Sequence, residues 1–218
     1  MSEESLVLAF DCSHQTCSVA VGSATTLLSE EDAAKGEDRS AHLMEHVSSA
    51  MRKSGKSMEH LRGIIVTRGP GSFTSTRVGL AVAYGLRLAL KIPVLALSSL
   101  EALLLSVPPF ISLNAVHRFV VILPSHKEWV YSQAFSLARE PLDCPKIRNI
   151  HEIDWEEETL FVGSEVLKDM QPDILLTSPS LHLCSIHARF LLRYAHRLTD
   201  VTLEDPLEPL IERPPSCA

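Results

Sequence analysis

The segment with the densest chemical signal is a glycine-rich turn at residues 68–77 (RGPGSFTSTR), which lies between an apolar strand and a long helix. The first backbone N–H groups of a helix lack intrahelical partners, so a turn of this kind can bind an anion. A structural explanation is also available and is favoured by the local pattern. Gly69 and Gly71 permit a tight turn, and Ser72 or Thr74 caps the helix that follows.

Two other groups of side chains could bind a metal. His42 and His46 are four residues apart on a predicted helix, a spacing that suits a metal when a third ligand converges. Exposed or interfacial histidines are the favoured alternative, because no glutamate follows the first histidine as in HExxH. Asp11 ends the first strand and could serve a nucleotide-bound metal, although isolated acids at strand ends are common.

The sequence does not contain three common catalytic or phosphate-binding motifs. Residues 54–57 imitate the end of a Walker A motif, but Ala50 stands where its first glycine should be. No GxGxxG occurs, so a dinucleotide fold has no support. Pro70 occupies a glycine position of the GxSxG nucleophile elbow. The sequence alone therefore identifies no catalytic residue.

The elements that must position these residues follow the order βββαβαβα over residues 6–107. Apolar runs bounded by turns predict strands at 6–11, 17–21, 25–29, 63–67 and 93–97. Capping and periodicity predict helices after Ser40, from 74 to 90, and after the Ser98/Glu101 capping box. Farther on, strands are expected at 118–123, 129–137 and 159–163, and a last helix after Ser185. We therefore expect an N-terminal lobe at 1–108 and a smaller, divergent lobe and tail at 109–218.

The helix predicted at 74–90 is apolar on nearly every side and rich in small residues. Two glycines inside a helix cost roughly 1 kcal/mol each relative to alanine, so something must approach closely enough to offset that cost. The helix could pack on its own sheet with one side and on another polypeptide with the other. Burial within its own molecule is the alternative.

Composition excludes several classes of protein. The chain has 218 residues and a formal charge of −7, with no run rich in Lys or Arg. That charge balance argues against a protein that binds nucleic acid without a partner. No apolar run approaches the roughly 20 residues that cross a bilayer. Five cysteines without a CxxC pair indicate neither a disulfide framework nor a zinc knuckle. An acidic start predicts a cytosolic protein.

Three segments together resemble the TsaB (YeaZ) family of bacterial tRNA-modification proteins. They are residues 8–13 (LAFDCS), residues 17–21 (CSVAV) and residues 69–74 (GPGSFT) followed by Arg77 and Gly79. The resemblance covers residues 6–105 and is thin afterwards. It implies an α/β protein with an actin-like (ASKHA, RNase H-like) fold, two lobes with mixed sheets, and a reduced second lobe.

The resemblance also implies a function. Proteins of this family are subunits of the complex that places threonylcarbamoyl on the adenosine beside the anticodon of tRNAs reading codons that begin with A. The partner TsaD holds the metal and catalyses the transfer, and the ATPase TsaE also joins. TsaB is implied to be a noncatalytic scaffold without cofactor or metal, which meets tRNA only through the complex. Without its partner, the same helices could pair to give a homodimer.

Carried over to this chain, the resemblance implies particular contact residues. The expected partner-binding residues on the two helices are Leu43, Met44, Val47, Met51, Gly79, Leu80, Ala83 and Leu86, and the motif loop consists of Gly69, Pro70, Gly71, Ser72, Phe73, Thr74 and Arg77. Replacing Gly79 with arginine is expected to abolish partner binding and leave the chain folded. The alternatives are a stand-alone actin-like ATPase or kinase and, less favoured, a metallopeptidase.

The turn after the first strand favours the noncatalytic alternative. Actin-like ATPases wrap phosphates with a glycine-bearing turn at this place, whereas residues 11–14 read DCSH here. The chain also departs from the family pattern at Arg39, at Ser75-Thr76 and at residues 124–126 (PSH).

Overall fold

The computed structural model describes residues 5–14, 17–33, 41–108, 116–170 and 180–210, and divides into two compact units. Unit 1 contains residues 1–102 together with 186–210, and unit 2 contains 103–185 together with 211–218. The predicted cap at Ser40 and the departure at Arg39 lie outside the described residues. No helix in the described part of the chain is long and apolar enough to cross a membrane.

Unit 1 is built on a five-stranded mixed sheet in the order β3-β2-β1-β4-β5. β1 pairs antiparallel with β2 and parallel with β4. The strands are β1 (Val7–Asp11), β2 (Ser18–Gly22), β3 (Leu27–Asp32), β4 (Gly63–Thr67) and β5 (Val94–Leu97). Every residue of β1, β2 and β4 is buried, as expected for strands covered on both faces.

Three helices follow the order predicted from the sequence. They are α1 (Leu43–Ser54), α2 (Phe73–Leu90) and α3 (Ser99–Leu105). Gly55 ends α1 with a φ of 68°, a left-handed conformation that glycine adopts without steric cost. The predicted capping box is present, because the Glu101 backbone N–H donates to Ser98 Oγ and Ser98 N–H donates to Glu101 Oε2.

A segment near the end of the chain completes unit 1. It contains α5 (Ala188–Leu191) and a 3₁₀ helix (Leu192–Asp200), which contact β1 and β2. The sequence predicts this segment in the second lobe, at 109–218. The structure corrects that placement, since its buried side chains Leu191, Leu192, Ala195 and Leu198 belong to unit 1. A Cβ on Gly63 would lie 2.5 Å from a Leu198 methyl group, so the contact is close.

Unit 2 has its own five-stranded mixed sheet in the order β10-β9-β6-β7-β8. β6 pairs antiparallel with β7 and parallel with β9. The elements are β6 (Arg118–His126), β7 (Trp129–Ser136), β8 (Lys146–Asn149), β9 (Thr159–Ser164), α4 (Leu167–Met170) and β10 (Leu181–Cys184). Two mixed sheets with flanking helices confirm the expected actin-like, RNase H-like fold class.

Candidate functional site

The glycine-rich turn is held against the turn that follows β1. Gly69 has a φ of 90°. At Gly71, a Cβ would lie 2.2 Å from the Ser13 carbonyl oxygen, so only glycine fits. The Ser72 backbone N–H donates to that same carbonyl at 2.7 Å. The predicted structural role of both glycines is therefore confirmed, because they let two backbone segments pack directly on each other.

Ser72 also begins α2 as predicted. Its hydroxyl accepts a hydrogen bond from the Ser75 backbone N–H at 3.4 Å. The next residue, Phe73, is exposed, and the Arg77 guanidinium lies over its ring at 3.4 Å from the centroid. The exposed motif residues Phe73, Thr74 and Arg77 therefore stand at the N-terminal end of α2, on its solvent side.

Asp11 is completely buried beneath this turn and has its own polar partners. One carboxylate oxygen, Oδ1, accepts hydrogen bonds from Ser13 N–H at 3.0 Å, from the Ser13 hydroxyl at 2.6 Å, and from the Thr67 hydroxyl. Ser99 donates in turn to the Ser13 hydroxyl at 2.8 Å. This network joins β1, β4 and the start of α3. Asp11 is thus part of a polar cluster that ties strands together.

The predicted partner-binding residues lie mostly on the inner sides of their helices. Leu43, Val47, Met51, Gly79, Leu80 and Ala83 are all buried, and the side chains among them belong to the core that covers the sheet. Leu86 is partly buried and packs against the same core. Only Met44 is well exposed. The structure therefore corrects the assignment, because an amphipathic helix turns its apolar stripe toward its own sheet.

The opposite side of α2 is exposed and still rich in apolar or small residues. We call it the outward face of α2, and it consists of Phe73, Arg77, Ala81, Tyr84, Gly85 and Leu88. Leu88 is 62% exposed and Tyr84 is 47% exposed. α2 contains no Asp or Glu, and Arg77 has no carboxylate partner among the described residues. A surface of this composition suits an apolar partner that carries acidic groups.

The two glycines inside α2 have different surroundings. A Cβ on Gly79 would meet only a Val66 methyl group, at 3.9 Å, which is ordinary van der Waals contact. A Cβ on Gly85 would meet nothing within 4 Å. Nothing within the described residues therefore requires glycine at position 85, and the partner-binding set predicted from the sequence does not include this residue.

The pair of histidines on α1 does not form a metal site with other described residues. His42 lies 3.2 Å from the Glu45 carboxylate. Among the described residues, the only three metal-ligating side chains that converge are Glu30, Asp32 and His187, with one ligand atom each within 4.8 Å of the others.

This trio already forms ion pairs. Arg189 lies 3.2 Å from Glu30, and His187 lies 3.7 Å from Asp32. The neighbouring Asp32 carboxylate raises the pKa of His187, and His187 lowers the pKa of Asp32. Burial raises the pKa of Glu30. The group thus joins β3 to the start of α5 by charge pairing.

Four of the five cysteines lie in the described residues, and all four are free thiols. Cys12 and Cys17 are buried with their sulfur atoms 2.8 Å apart, and hydrogen bonding to Cys17 raises the pKa of the Cys12 thiol. Burial raises the pKa of Cys184 to about 12. These raised pKa values disfavour thiolates, so neither Cys12 nor Cys184 suits a nucleophile at neutral pH.

Comparisons with known proteins find relatives that are named for tRNA modification. The family model of TsaD, tRNA N6-adenosine threonylcarbamoyltransferase, matches residues 32–117. The tRNA threonylcarbamoyladenosine biosynthesis protein TsaB of Bacillus subtilis is 34% identical over 97 residues, covering 44% of this chain and 42% of that protein. The Escherichia coli TsaB is 31% identical over 94 residues, covering 43% and 40%. The matched segment thus spans about two fifths of these relatives.

Similarity of fold extends over nearly the whole chain. A Pseudomonas aeruginosa protein described as similar to peptidase YEAZ superposes with a TM-score of 0.78 at 22% identity, covering 96% of this chain and 100% of the other. YeaZ from Pseudomonas aeruginosa gives 0.75 at 21% identity, covering 95% and 100%. The sequence relatives and these two structures together confirm the resemblance noted in the sequence.

Proposed function

We propose that this chain, a member of the TsaB (YeaZ) family, is a noncatalytic scaffold subunit of a complex that modifies tRNA. In this proposal it binds and supports a TsaD-like catalytic subunit, which transfers threonylcarbamoyl to the adenosine beside the anticodon. A TsaE-like ATPase joins the complex, and the chain meets tRNA only as part of this complex. The work takes place in the cytoplasm. The sequence similarity to proteins named for this pathway is the observation that carries the proposal.

The polar cluster around Asp11 supports a noncatalytic role. An actin-like nucleotide site needs backbone N–H groups that are free to surround phosphates. Here Ser72 N–H donates to the Ser13 carbonyl, and Ser13 N–H donates to Asp11. Gly71 packs directly on Ser13, which leaves no room for a phosphate between the two turns. The chain's own hydrogen bonds thus occupy the donors that a nucleotide would require.

The outward face of α2 is the surface we assign to the TsaD-like partner. Exposed tyrosine, leucine and phenylalanine side chains supply apolar area, and Gly85 allows another backbone or side chain to approach closely. Met44 adds one exposed apolar side chain on α1. A specific interface buries about 800 Å² on each partner, and an 18-residue helix with a neighbouring helix provides a surface of that order.

The experiment compares two leucines of similar exposure in co-purification with the TsaD-like subunit. Leu88 lies on the outward face of α2, whereas Leu142, exposed by 58%, lies in unit 2. We expect Leu88→Arg to weaken binding by about 100-fold, because it places a charge in the centre of an apolar interface. Leu142→Arg should bind like the parent. Circular dichroism should show that both variants are folded.

Two results would count against the proposal. Equal binding by a folded Leu88→Arg variant would remove the outward face from the interface. Failure of the parent chain to bind the TsaD-like subunit, or to restore threonylcarbamoyladenosine in tRNA of cells lacking their own TsaB, would remove the scaffold role. Magnesium-dependent turnover of ATP by the pure chain would instead favour the stand-alone ATPase or kinase.

The free chain offers a related measurement. If the outward face of α2 pairs with a second copy in the absence of the partner, light scattering should show a dimer that Leu88→Arg converts to a monomer. Adding the TsaD-like subunit should dissociate this homodimer, because both contacts use one surface.

A further inference from the structure

Unit 1 contains a basic cavity at the edge where β1 and β4 begin, away from the Asp11 cluster at the other end of β1. The cavity has a volume of about 560 Å³. Basic residues Lys56, His60 and Arg62 line one side of it, and the hydroxyl residues Ser23, Thr25 and Thr26 of the β2–β3 turn line the other. We call this group the basic pocket. Its lining residues include no carboxylate, so its charge is positive although the whole chain is acidic.

The arginine of the basic pocket is held in place by the backbone. Its Nη1 donates to the carbonyl oxygens of Glu59 at 2.9 Å and Leu61 at 3.1 Å. Its own N–H donates to the Leu6 carbonyl at 2.8 Å, which fixes it beside β1. Arg62 has no carboxylate partner among the described residues. A guanidinium positioned this way keeps further N–H donors for a ligand, at a lower entropic cost than a free side chain.

The histidine is oriented as a second donor. His60 Nδ1 accepts a hydrogen bond from the Ser57 backbone N–H at 3.2 Å and lies 2.7 Å from the Ser57 hydroxyl. Because a backbone N–H can only donate, Nδ1 is the acceptor and the ring proton resides on Nε2. Nε2 is therefore the nitrogen left to donate toward a ligand. Lys56 contributes a second cation beside Arg62, with no carboxylate partner in the described residues.

The hydroxyl side is shaped by the turn between β2 and β3. The Thr26 backbone N–H donates to Ser23 Oγ at 3.1 Å, and Ser23 N–H donates to the Thr26 carbonyl at 2.8 Å. These bonds keep the three hydroxyl residues of the turn together at the cavity. A fixed guanidinium and a lysine ammonium opposite hydroxyl groups form a donor set that matches the oxygen atoms of a phosphate group.

We propose that the basic pocket binds a phosphate group, presented either by a small nucleotide or by the phosphodiester backbone of RNA. Uncompensated cations that converge on one cavity repel one another, and an anion relieves that repulsion. A volume of this size lies in the range of small-ligand sites, about 300–1,000 Å³. The proposal depends on neither the outward face of α2 nor the identity of its partner.

The test uses the full-length chain and three probes: inorganic phosphate, AMP, and a short RNA stem-loop with a fluorescent label. Calorimetry measures the two small probes, and fluorescence anisotropy measures the RNA. The variants are Lys56→Gln and Arg62→Gln, and Lys91→Gln is the matched control because Lys91 is an exposed cation outside the pocket. Each pocket variant should weaken phosphate-dependent binding about tenfold, and the control should change it less than twofold.

The probes distinguish the source of the phosphate. Binding of AMP that both pocket variants weaken indicates a nucleotide ligand. Binding of RNA without binding of AMP indicates a phosphodiester contact, provided that both pocket variants weaken the RNA affinity. Raising the salt concentration should weaken RNA binding and reduce the difference between parent and variants. Lys56 is exposed and makes no ion pair among the described residues, so Lys56→Gln should fold even if Arg62→Gln does not.

Two outcomes would overturn the proposal. One is the absence of binding by all three probes at millimolar concentration, and the other is binding that Lys56→Gln leaves unchanged. Co-purification with the TsaD-like subunit should be the same for Lys56→Gln and the parent. Failure of the basic pocket is therefore distinguishable from failure of the proposed scaffold role.

Discussion

The outward sides of α1 and α2 differ although both helices cover the same sheet. α1 exposes mainly polar residues such as Glu45, Ser48 and Arg52. Polar contacts also tie it to β3, since Ser49 Oγ donates to the Glu31 carboxylate at 2.6 Å and Lys53 Nζ lies 2.7 Å from it. α2 has no acidic residue and exposes Tyr84 and Leu88. The outward side of α1 is therefore typical of a helix whose outer surface faces solvent. The outward side of α2 is typical of a helix that another molecule covers.

The largest expected effect separates the two sides of α2. Gly79→Arg should destabilise the chain by at least about 4 kcal/mol, because it forces a charge into the core. Gly85→Arg should instead stabilise the chain slightly, since that position is open and arginine is a better helix former than glycine. Urea denaturation followed by circular dichroism measures both. A stable Gly79→Arg variant would contradict the assignment of the inner side, and it would restore the sequence-based expectation for this residue.

The next effect compares the contributions of the two helices to binding. Truncating Tyr84 to alanine should cost roughly 2 kcal/mol of affinity for the TsaD-like subunit, as buried aromatic residues often do at interface centres. Met44→Ala on α1 should cost less than about 1 kcal/mol. Calorimetric titration of each variant with the partner measures the difference. The reverse ranking would place α1 at the centre of the interface.

A smaller effect concerns the two helical glycines. Gly79→Ala and Gly85→Ala should each stabilise the free chain by about 1 kcal/mol, because alanine is the better helix former and neither new methyl group clashes. Only Gly85→Ala should also weaken partner binding, since its methyl group enters the space kept for the partner. Melting curves and binding titrations of the same two samples test this. Unchanged affinity for Gly85→Ala would mean that no close approach occurs there.

The smallest effect tests the polar contacts of α1. Lys53 and Ser49 lower the pKa of Glu31 below its ordinary value of 4.5. A carboxyl group whose pKa is lowered by folding stabilises the folded state at pH values above its ordinary pKa. This stabilisation is lost as the pH falls through the pKa of the folded state. Lys53→Met should therefore lower the free energy of unfolding at neutral pH. The loss should be only about 0.5 kcal/mol, because Lys53 is largely exposed.

The size of that cost should depend on pH. As the pH falls below 4.5, the difference in free energy of unfolding between the parent and Lys53→Met should shrink toward zero, since Glu31 becomes neutral in both chains. Unfolding measured across pH 3–7 gives the profile. A cost that is constant with pH would assign it to lost packing of the lysine side chain.

Local signals in the sequence were sufficient for the elements of unit 1. The capping box at Ser98 and the glycine that ends α1 each depend on interactions within a few residues, and the structure has both. β8 and β10 were not predicted. Both are short outer strands of the sheet in unit 2 and none of their residues is fully buried, so they lack the apolar alternation that reveals a strand.

The candidate site was harder to predict because small residues occur on both sides of α2. Positions 75, 79 and 83 repeat every four residues, and so do positions 81, 85 and 89. Periodicity alone cannot say which of these two rows faces the sheet. That choice depends on packing against β4 and β5, which contact α2 in the fold. The basic pocket was missed for a similar reason, since its two sides are separated by about thirty residues in sequence and meet only across β1.

The return of residues 186–210 to unit 1 has a consequence for how the chain is made. On the ribosome, β1 to β5 emerge well before the segment that fills the second side of their sheet, and residues 103–185 of unit 2 are synthesised in between. Leu210 N–H donates to the Arg68 carbonyl, and Arg87 donates to the Asp205 carbonyl, so the last contacts of unit 1 form only after residue 210 has emerged. Until then the nascent sheet exposes apolar surface of the kind that chaperones bind.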